Sequence, residues 1–401
     1  MHCYTIETKK GKEKWVCVEE GPKDPVTGKR KQIARRADTK KEAKKRVNDA
    51  LRTLEDDGIN ENAGKKITFD AVGADWLEVY SKTGVKNSTI RIRKKEINIL
   101  NRFMAKAPIN QISHAAYQKI INQLGPDYAR TTVQGVNTTA NMIFKHAIKN
   151  KLIRDNPGRD VIVPKKRRTV EEIEKEEIEE KYLERSELEE FLQEVNKYGL
   201  ELDKERFYLL AFSGMRSGEL CALKWSDITF SKNQVRITKT LYNENNNMKS
   251  YELTPPKTEG SIRTIELEDE VIKLLQEHKK RQQKLKMKYR HTLEEYHDEN
   301  FVFCRPNGYP FAPKNIVVRM ERLLEKTSIE KHATPHIFRH THISMMAEAG
   351  IDLATVMKRV GHEDTKTTMK IYTHVTNKMK EDASDKVRNL YGNVLENINT
   401  N

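Results

Sequence analysis

Apolar and polar positions alternate with two different periods along this chain. Near the start, Tyr4–Glu7, Trp15–Glu19 and Gln32–Ala37 follow the two-residue period of strands. Gly21-Pro22, Asp24-Pro25 and Thr27-Gly28 punctuate the second connection. Thr39 then stands where a helix cap belongs. Ala43, Val47, Ala50, Leu51 and Leu54 line one helical stripe behind it. Residues 1–60 therefore read as a β-β-β-α unit.

From residue 67 the period becomes helical. Phe69, Val72, Trp76, Leu77 and Tyr80 fit one helix, and Ile97, Leu100, Phe103 and Met104 a second. Tyr117, Ile120, Ile121 and Leu124 follow a Ser113 cap. Val136, Ala140, Ile143, Phe144, Ala147 and Ile148 fit a fourth helix, and Asn156-Pro157 ends the segment. These stripes predict a compact helical domain over 61–163. Residues 164–181 break the pattern with Lys165-Lys166-Arg167-Arg168 and a Glu-rich run, which predicts an exposed linker.

The last region, 182–401, opens on Ser186-x-x-Glu189, a capping-box signal. It is mostly helical. Val235–Leu241, Tyr251–Pro255 and Ile262–Leu267 predict a small antiparallel sheet within it. The whole reads as α+β: mainly α, with small β-sheets.

Charge narrows the function. Of 401 residues, 74 are Lys or Arg and 59 are Asp or Glu, giving +15. Such a surplus favours a polyanion. No apolar run is long enough for a membrane span, and the first residues lack a signal peptide's apolar core. Nucleic acid is then the favoured partner, with no membrane. Cys3, Cys17, Cys221 and Cys304 include no Cys-x-x-Cys pair, which predicts neither a zinc site nor a disulfide framework and suits a reducing cytosol. Residues 1–60 hold 16 Lys and Arg against 11 Asp and Glu. A strand face carrying Lys9, Lys12, Lys14, Arg30, Lys31, Arg35 and Arg36 fits either a DNA groove or a solvated surface. The same two readings hold for Arg91, Arg93, Lys94 and Lys95. Lys165, Lys166, Arg167 and Arg168 fit a phosphate backbone.

Candidate chemistry lies in the last region. Gly214-Met215-Arg216-Ser217-Gly218-Glu219-Leu220 places Arg216 just before a helix, with Glu219 three residues on to orient it. Lys257 sits in the turn Pro255–Gly260. His336 and Arg339 share a helix face at i, i+3. His336, His340 and His342 also cluster, but without the acidic partner of a His-Glu-x-x-His site, so no metal is assigned. Leu353, Val356, Met357 and Val360 form a helical stripe that ends at Gly361-His362. Tyr372 follows ten residues later.

Taken together, the order and spacing of Arg216, Lys257, His336-x-x-Arg339-His, Gly-His362 and Tyr372 resemble the tyrosine recombinase (lambda-type integrase) family. The resemblance covers about residues 180–390. Phe338 departs from it, standing where Leu is commoner, and so does His342, two positions beyond His340. The resemblance implies that Tyr372 is the nucleophile and that Arg216, Lys257, His336, Arg339 and His362 complete the catalytic set, supported by Glu219. No cofactor is implied. Residues 1–60 would bind arm-type DNA and 61–163 core DNA, with catalysis in 182–401. The implied partners are duplex DNA at attachment sites, three further copies in a tetramer, excisionase and a host DNA-bending protein. The implied place is the bacterial cytoplasm, at the nucleoid. Met379, Val387, Leu390 and Val394 would form an exchange helix that docks on a neighbour or packs on its own subunit. A type IB topoisomerase-like relaxase, a non-catalytic DNA-binding protein of the same fold and a metal nuclease are the competing expectations.

Overall fold

The computed structural model describes residues 1–7, 13–23, 30–56, 67–165, 181–244, 247–256, 259–361, 366, 368–376, 379 and 384. The chain divides into two compact units, residues 1–167 and 168–401.

In the first unit, β1 (His2–Glu7), β2 (Glu13–Lys23) and β3 (Arg30–Ala37) form an antiparallel meander in the order β1-β2-β3. Strand β2 runs through Gly21-Pro22, where a turn is predicted. The pairing register shifts between Glu20 and Lys23, which accommodates a proline that cannot donate to the ladder. Helix α1 (Lys40–Asp56) covers one face of the sheet. The Thr39 hydroxyl accepts from the Glu42 amide at 3.3 Å, as its cap position predicts. Cys17, Ala37, Ala43 and Val47 form the core, with Cys3, Trp15 and Leu51 against it. Cys3 and Cys17 are joined by a disulfide, contrary to the expectation. The two residues face each other across the β1–β2 ladder, a proximity that spacing alone does not reveal.

Four helices follow: α2 (Phe69–Ser81), α3 (Asn87–Met104), α4 (His114–Leu124) and α5 (Arg130–Lys149). Thr68 and Ser113 cap α2 and α4 by accepting from the Ala71 and Ala116 amides. Phe69, Leu100, Tyr117, Ile121, Ile143 and Phe144 are fully buried where the predicted stripes meet. Phe103 is an exception, lying exposed at 43%. Helix α5 ends at Lys149, before Asn156-Pro157, and Lys151 takes up a left-handed φ of 57°.

The second unit begins with α6 (Arg185–Tyr198), α7 (Asp203–Ser213) and α8 (Ser217–Ala222). The cap of α6 lies two residues before the predicted Ser186. There the Glu184 amide donates to the Glu187 carboxylate at 2.7 Å. The predicted sheet divides in two. Strands β4 (Ile228–Thr229), β5 (Gln234–Ile237) and β8 (Arg263–Glu266) form one sheet; β6 (Thr240–Tyr242) and β7 (Glu252–Thr254) form a ribbon. The break falls beside Lys239, whose ammonium donates to both Asp227 carboxylate oxygens. Helices α9 (Asp269–Tyr289), α10 (Pro313–Leu324), α11 (Ile337–Glu348) and α12 (Leu353–Val360) complete the unit, with a helical segment over 368–376. Phe191, Phe207 and Phe338 meet in the main core at centroid distances of 5.2–5.8 Å. Phe338, the departure from the usual Leu, is thus a packing residue that seats the start of α11.

Candidate active site

The site is assembled from helix ends. Helix α7 stops at Gly214, whose φ of 61° fits the left-handed C-cap. The chain turns there and starts α8, with Arg216 at its N-cap in extended conformation. The Glu219 carboxylate accepts from the Arg216 amide at 3.0 Å and from Arg216 Nη1 at 2.8 Å. Glu219 is 3% exposed, whereas the Arg216 side chain is 37% exposed. One end of this ion pair is therefore fixed in the interior and the other faces outward.

Arg339 lies on the first turn of α11 and is fully buried. Its Nη1 donates to the Gly214 carbonyl at 2.7 Å, and its Nη2 donates to the Val360 carbonyl. One guanidinium thus joins the turn before Arg216 to the last residue of α12. Burial, then the nearby Arg216 and Arg263, lowers its pKa. Two carbonyl acceptors offset that cost by holding the charged fork.

His336 is the N-cap of α11. The residue is exposed at the surface, with protein packed on part of it. That packing, with Arg339 and Arg216, pushes its pKa down to about 4. Near neutral pH it is a neutral imidazole, with one donor and one acceptor. The His340 ring stands perpendicular to it at 4.7 Å and is likewise pushed to about 4 by burial and then by His336. Among the described residues, no group of three or more His, Cys, Asp or Glu is placed to hold a metal.

Tyr372 is half-buried on the segment 368–376. It packs against the cluster of Tyr182, Ile343, Ala347, Val356, Val360, Ile371 and Val375. That cluster ties its helix to α11 and α12, which carry Arg339 and its Val360 acceptor. Lys257 and His362 lie outside the described residues. Their neighbours are placed: β7 and β8 flank the Lys257 segment, and Gly361 takes a left-handed φ of 67° as the C-cap of α12. Strand β7 pairs with β6 and β8 with β5, so the connection between β7 and β8 joins two sheets.

Three contacts escaped the sequence reading. Arg263, 7% exposed, donates from Nη2 to Glu219 at 2.9 Å and from Nε to the Arg359 carbonyl at 2.8 Å. Arg359 in turn donates from Nε to His342 Nε2 at 3.1 Å. The signal for Arg263 is its position: strand alternation puts it on the same buried face as Ile265.

The basic surface candidates separate. On β3, Arg30 and Arg36 are exposed, while Arg35 takes the alternate register with buried Ile33 and Ala37. Lys14 pairs with Asp38 at 3.2 Å and Arg30 with Glu20 at 3.6 Å. Lys31 lies on β3. Lys94 and Lys95 are exposed and Arg91 is half-buried. Arg93 turns inward, donating to Glu96 at 2.8 Å and Thr139 at 2.9 Å. Lys165 is exposed; Lys9, Lys12, Lys166, Arg167 and Arg168 lie outside the described residues. Among the described residues, no helix is long and apolar enough to cross a membrane. Of the exchange-helix candidates, Met379 is described, and it is exposed.

Comparison with known proteins gives a consistent result. A sequence profile described as the phage integrase family matches residues 181–379, and one for the phage integrase N-terminal SAM-like domain matches 68–125. The chain is 32% identical over 373 residues to the prophage ps2 probable integrase of Lactococcus lactis subsp. lactis (strain IL1403), spanning 90% of this chain and 94% of that one. Its fold is similar to that of the Tn1549 transposon integrase (residues 82–397) in complex with transposon right end DNA. The TM-score is 0.61 at 21% identity, covering 79% of this chain and all of that one. It is also similar in fold to a lambda integrase solved as a tetramer bound to a Holliday junction, with a TM-score of 0.52 at 15% identity over 90% of this chain and 96% of that one.

Proposed function

The chain belongs to the phage integrase family and is a tyrosine-type site-specific DNA recombinase, and we propose that Arg216, Lys257, His336, Arg339, His362 and Tyr372 carry its chemistry. The Tyr372 phenol attacks the scissile phosphorus, and the bond to the 5′-oxygen breaks. The phenolic proton passes to His336, which is neutral and able to accept it. Lys257 protonates the departing 5′-oxygen as general acid. A 3′-phosphotyrosyl link and a free 5′-hydroxyl result. Negative charge grows on the non-bridging oxygens. Arg216, Arg339 and His362 meet it as donors, with Arg216 held towards it by Glu219. The phosphate-ester link keeps the bond energy, so a 5′-hydroxyl from a partner strand can reverse the step and exchange strands. Two rounds on a tetramer, with a Holliday junction between them, recombine two duplexes.

The observation that carries this reading is the Arg339 fork. It joins the Arg216 turn to the end of α12, whose apolar face also seats the Tyr372 helix. In the same proposal residues 1–60 bind arm-type sites, 61–163 grip core DNA and 164–181 link to the catalytic part, 182–401. Exposed Arg30, Arg36, Lys94, Lys95 and Lys165 are suited to phosphate contacts; Arg93 is less so, because its side chain is 17% exposed and its Nη1 is held by Glu96 and Thr139. Excisionase and a host DNA-bending protein act as accessory partners at the bacterial nucleoid. Tyr372→Phe tests the assignment on a nicked core-site duplex. Covalent protein–DNA adducts should disappear while binding persists. Adducts that survive the substitution reject Tyr372 as nucleophile.

A further inference from the structure

Two guanidinium groups share the Glu219 carboxylate, and their surroundings differ. The Arg216 side chain is 37% exposed and the Arg263 side chain 4%. Arg263 donates to both Glu219 oxygens, at 2.9 Å from Nη2 and 3.4 Å from Nη1. Its other contacts are backbone carbonyls: Ser261 at 3.1 Å from Nη1 and Arg359 at 2.8 Å from Nε. Gly361 is packed so closely on this side chain that an added Cβ would lie 3.1 Å from Arg263 Cδ.

An isolated Glu219 would cancel Arg216. A buried carboxylate 2.8 Å from a guanidinium nitrogen neutralises much of the field that guanidinium could offer a phosphate. Arg263 supplies the second positive charge, so the triad carries a net +1, and the part facing outward is Arg216. Glu219 can then orient Arg216 by hydrogen bonds without cancelling its charge. The pKa of Glu219 is lowered, with Arg263 the largest favourable contributor against the cost of burial.

We propose that Arg263 is a positioning residue of the recombination site: it compensates Glu219 so that Arg216 keeps its positive charge for the scissile phosphate, and it holds the end of α12 against β8. This rests on Arg216 acting at the phosphate. Arg263 touches no reacting atom and works through Glu219.

The test measures single-turnover adduct formation on a nicked core-site duplex, alongside core-site binding and thermal melting. Four variants are compared with the parent: Arg263→Gln, Arg263→Lys, Glu219→Gln, and the double variant Arg263→Gln/Glu219→Gln. Arg263→Gln should slow cleavage by about 10- to 100-fold, less than the roughly 100- to 1000-fold cost of losing a direct donor because Arg263 acts through Glu219, while core-site binding changes by less than about threefold. Removing the uncompensated carboxylate in the double variant should restore at least about tenfold of that loss. Arg263→Lys keeps the charge and should cleave within about tenfold of the parent. A purely structural role predicts that the double variant is no better than Arg263→Gln, and that outcome overturns the proposal. Parent-like cleavage by Arg263→Gln overturns it too. If Arg263→Gln does not fold, the double variant and Arg263→Lys carry the test; either one folded but inactive rejects it. Tyr372→Phe run in parallel reports separately on the catalytic assignment, since adducts there would sink that reading whatever Arg263 does.

Discussion

Gly214→Ala probes the joint on which the site turns. Gly214 has a φ of 61°, and an added Cβ would lie 2.9 Å from His342 Cδ2 and 3.2 Å from its Cγ. The ring has little freedom to retreat, because Arg359 Nε donates to its Nε2 at 3.1 Å. The left-handed conformation costs a non-glycine residue roughly 1–2 kcal/mol. Overpacking a tight site costs about 1–3 kcal/mol more. The sum, about 2–5 kcal/mol, should lower the melting temperature of the catalytic unit by on the order of 10 °C, at about 2–4 °C per kcal/mol for a domain this large. The Gly214 carbonyl is the Arg339 acceptor and Arg216 lies two residues on, so cleavage should slow more than core-site binding weakens. The assay pairs thermal melting with adduct kinetics. Adding His342→Ala removes the clash but not the backbone strain, so the double variant should be less destabilised than the two single losses summed. A melting point within about 1 °C of the parent, or strictly additive losses, would refute the argument.

Three further outcomes follow from the same contacts. His342 is buried, and burial, then Arg359, pushes its pKa down to about 3 from 6.5. Its stabilising contribution is complete above about pH 6.5 and is lost as pH falls from there towards 3. His342 should contribute up to about 1.4 kcal/mol per pH unit to the fall in unfolding free energy in that window, beside like contributions from His336 and His340, and His342→Gln should make the slope shallower by that share; an unchanged profile contradicts the burial argument. Arg93→Ala leaves the Glu96 carboxylate with the Thr139 hydroxyl but no positive partner and should destabilise the α3–α5 contact by about 3 kcal/mol by denaturant titration, with the salt dependence of DNA binding unchanged. A shallower salt slope at parental stability would make Arg93 a phosphate contact instead. Adduct formation should proceed equally with and without a chelator, since protein cations and a phenol supply every step; abolition by chelator would favour the metal nuclease.

Much of the site was legible because its parts are local. Arg216 and Glu219 lie one helical turn apart, as do His336 and Arg339. Gly214 and Gly361 mark helix ends where a positive φ is needed. Helix stripes were readable for the same reason, since i, i+3 and i+4 positions share a face. What stayed hidden depends on register between distant segments. Arg263 meets Glu219 across 44 positions, and Cys3 meets Cys17 only because β1 and β2 pair in one of several possible registers. The division of the predicted sheet beside Lys239 is likewise set by which strand each half finds, not by the run Val235–Leu241 itself. Arg93 looked like surface charge because Thr139, which draws both Arg93 and its i+3 partner Glu96 inward, lies 46 residues on. Phe103 follows the helical period of α3, yet lies exposed.

The central claim is that a phenolic oxygen, served by fixed cations, takes the place of the 5′-oxygen on the DNA phosphate. Peptide mapping by mass spectrometry of a complex stalled on a nicked substrate tests it directly. The account predicts a nucleotide attached through phosphate to Tyr372. A nucleotide carried by any other residue, or cleaved DNA with no covalent link, would contradict it.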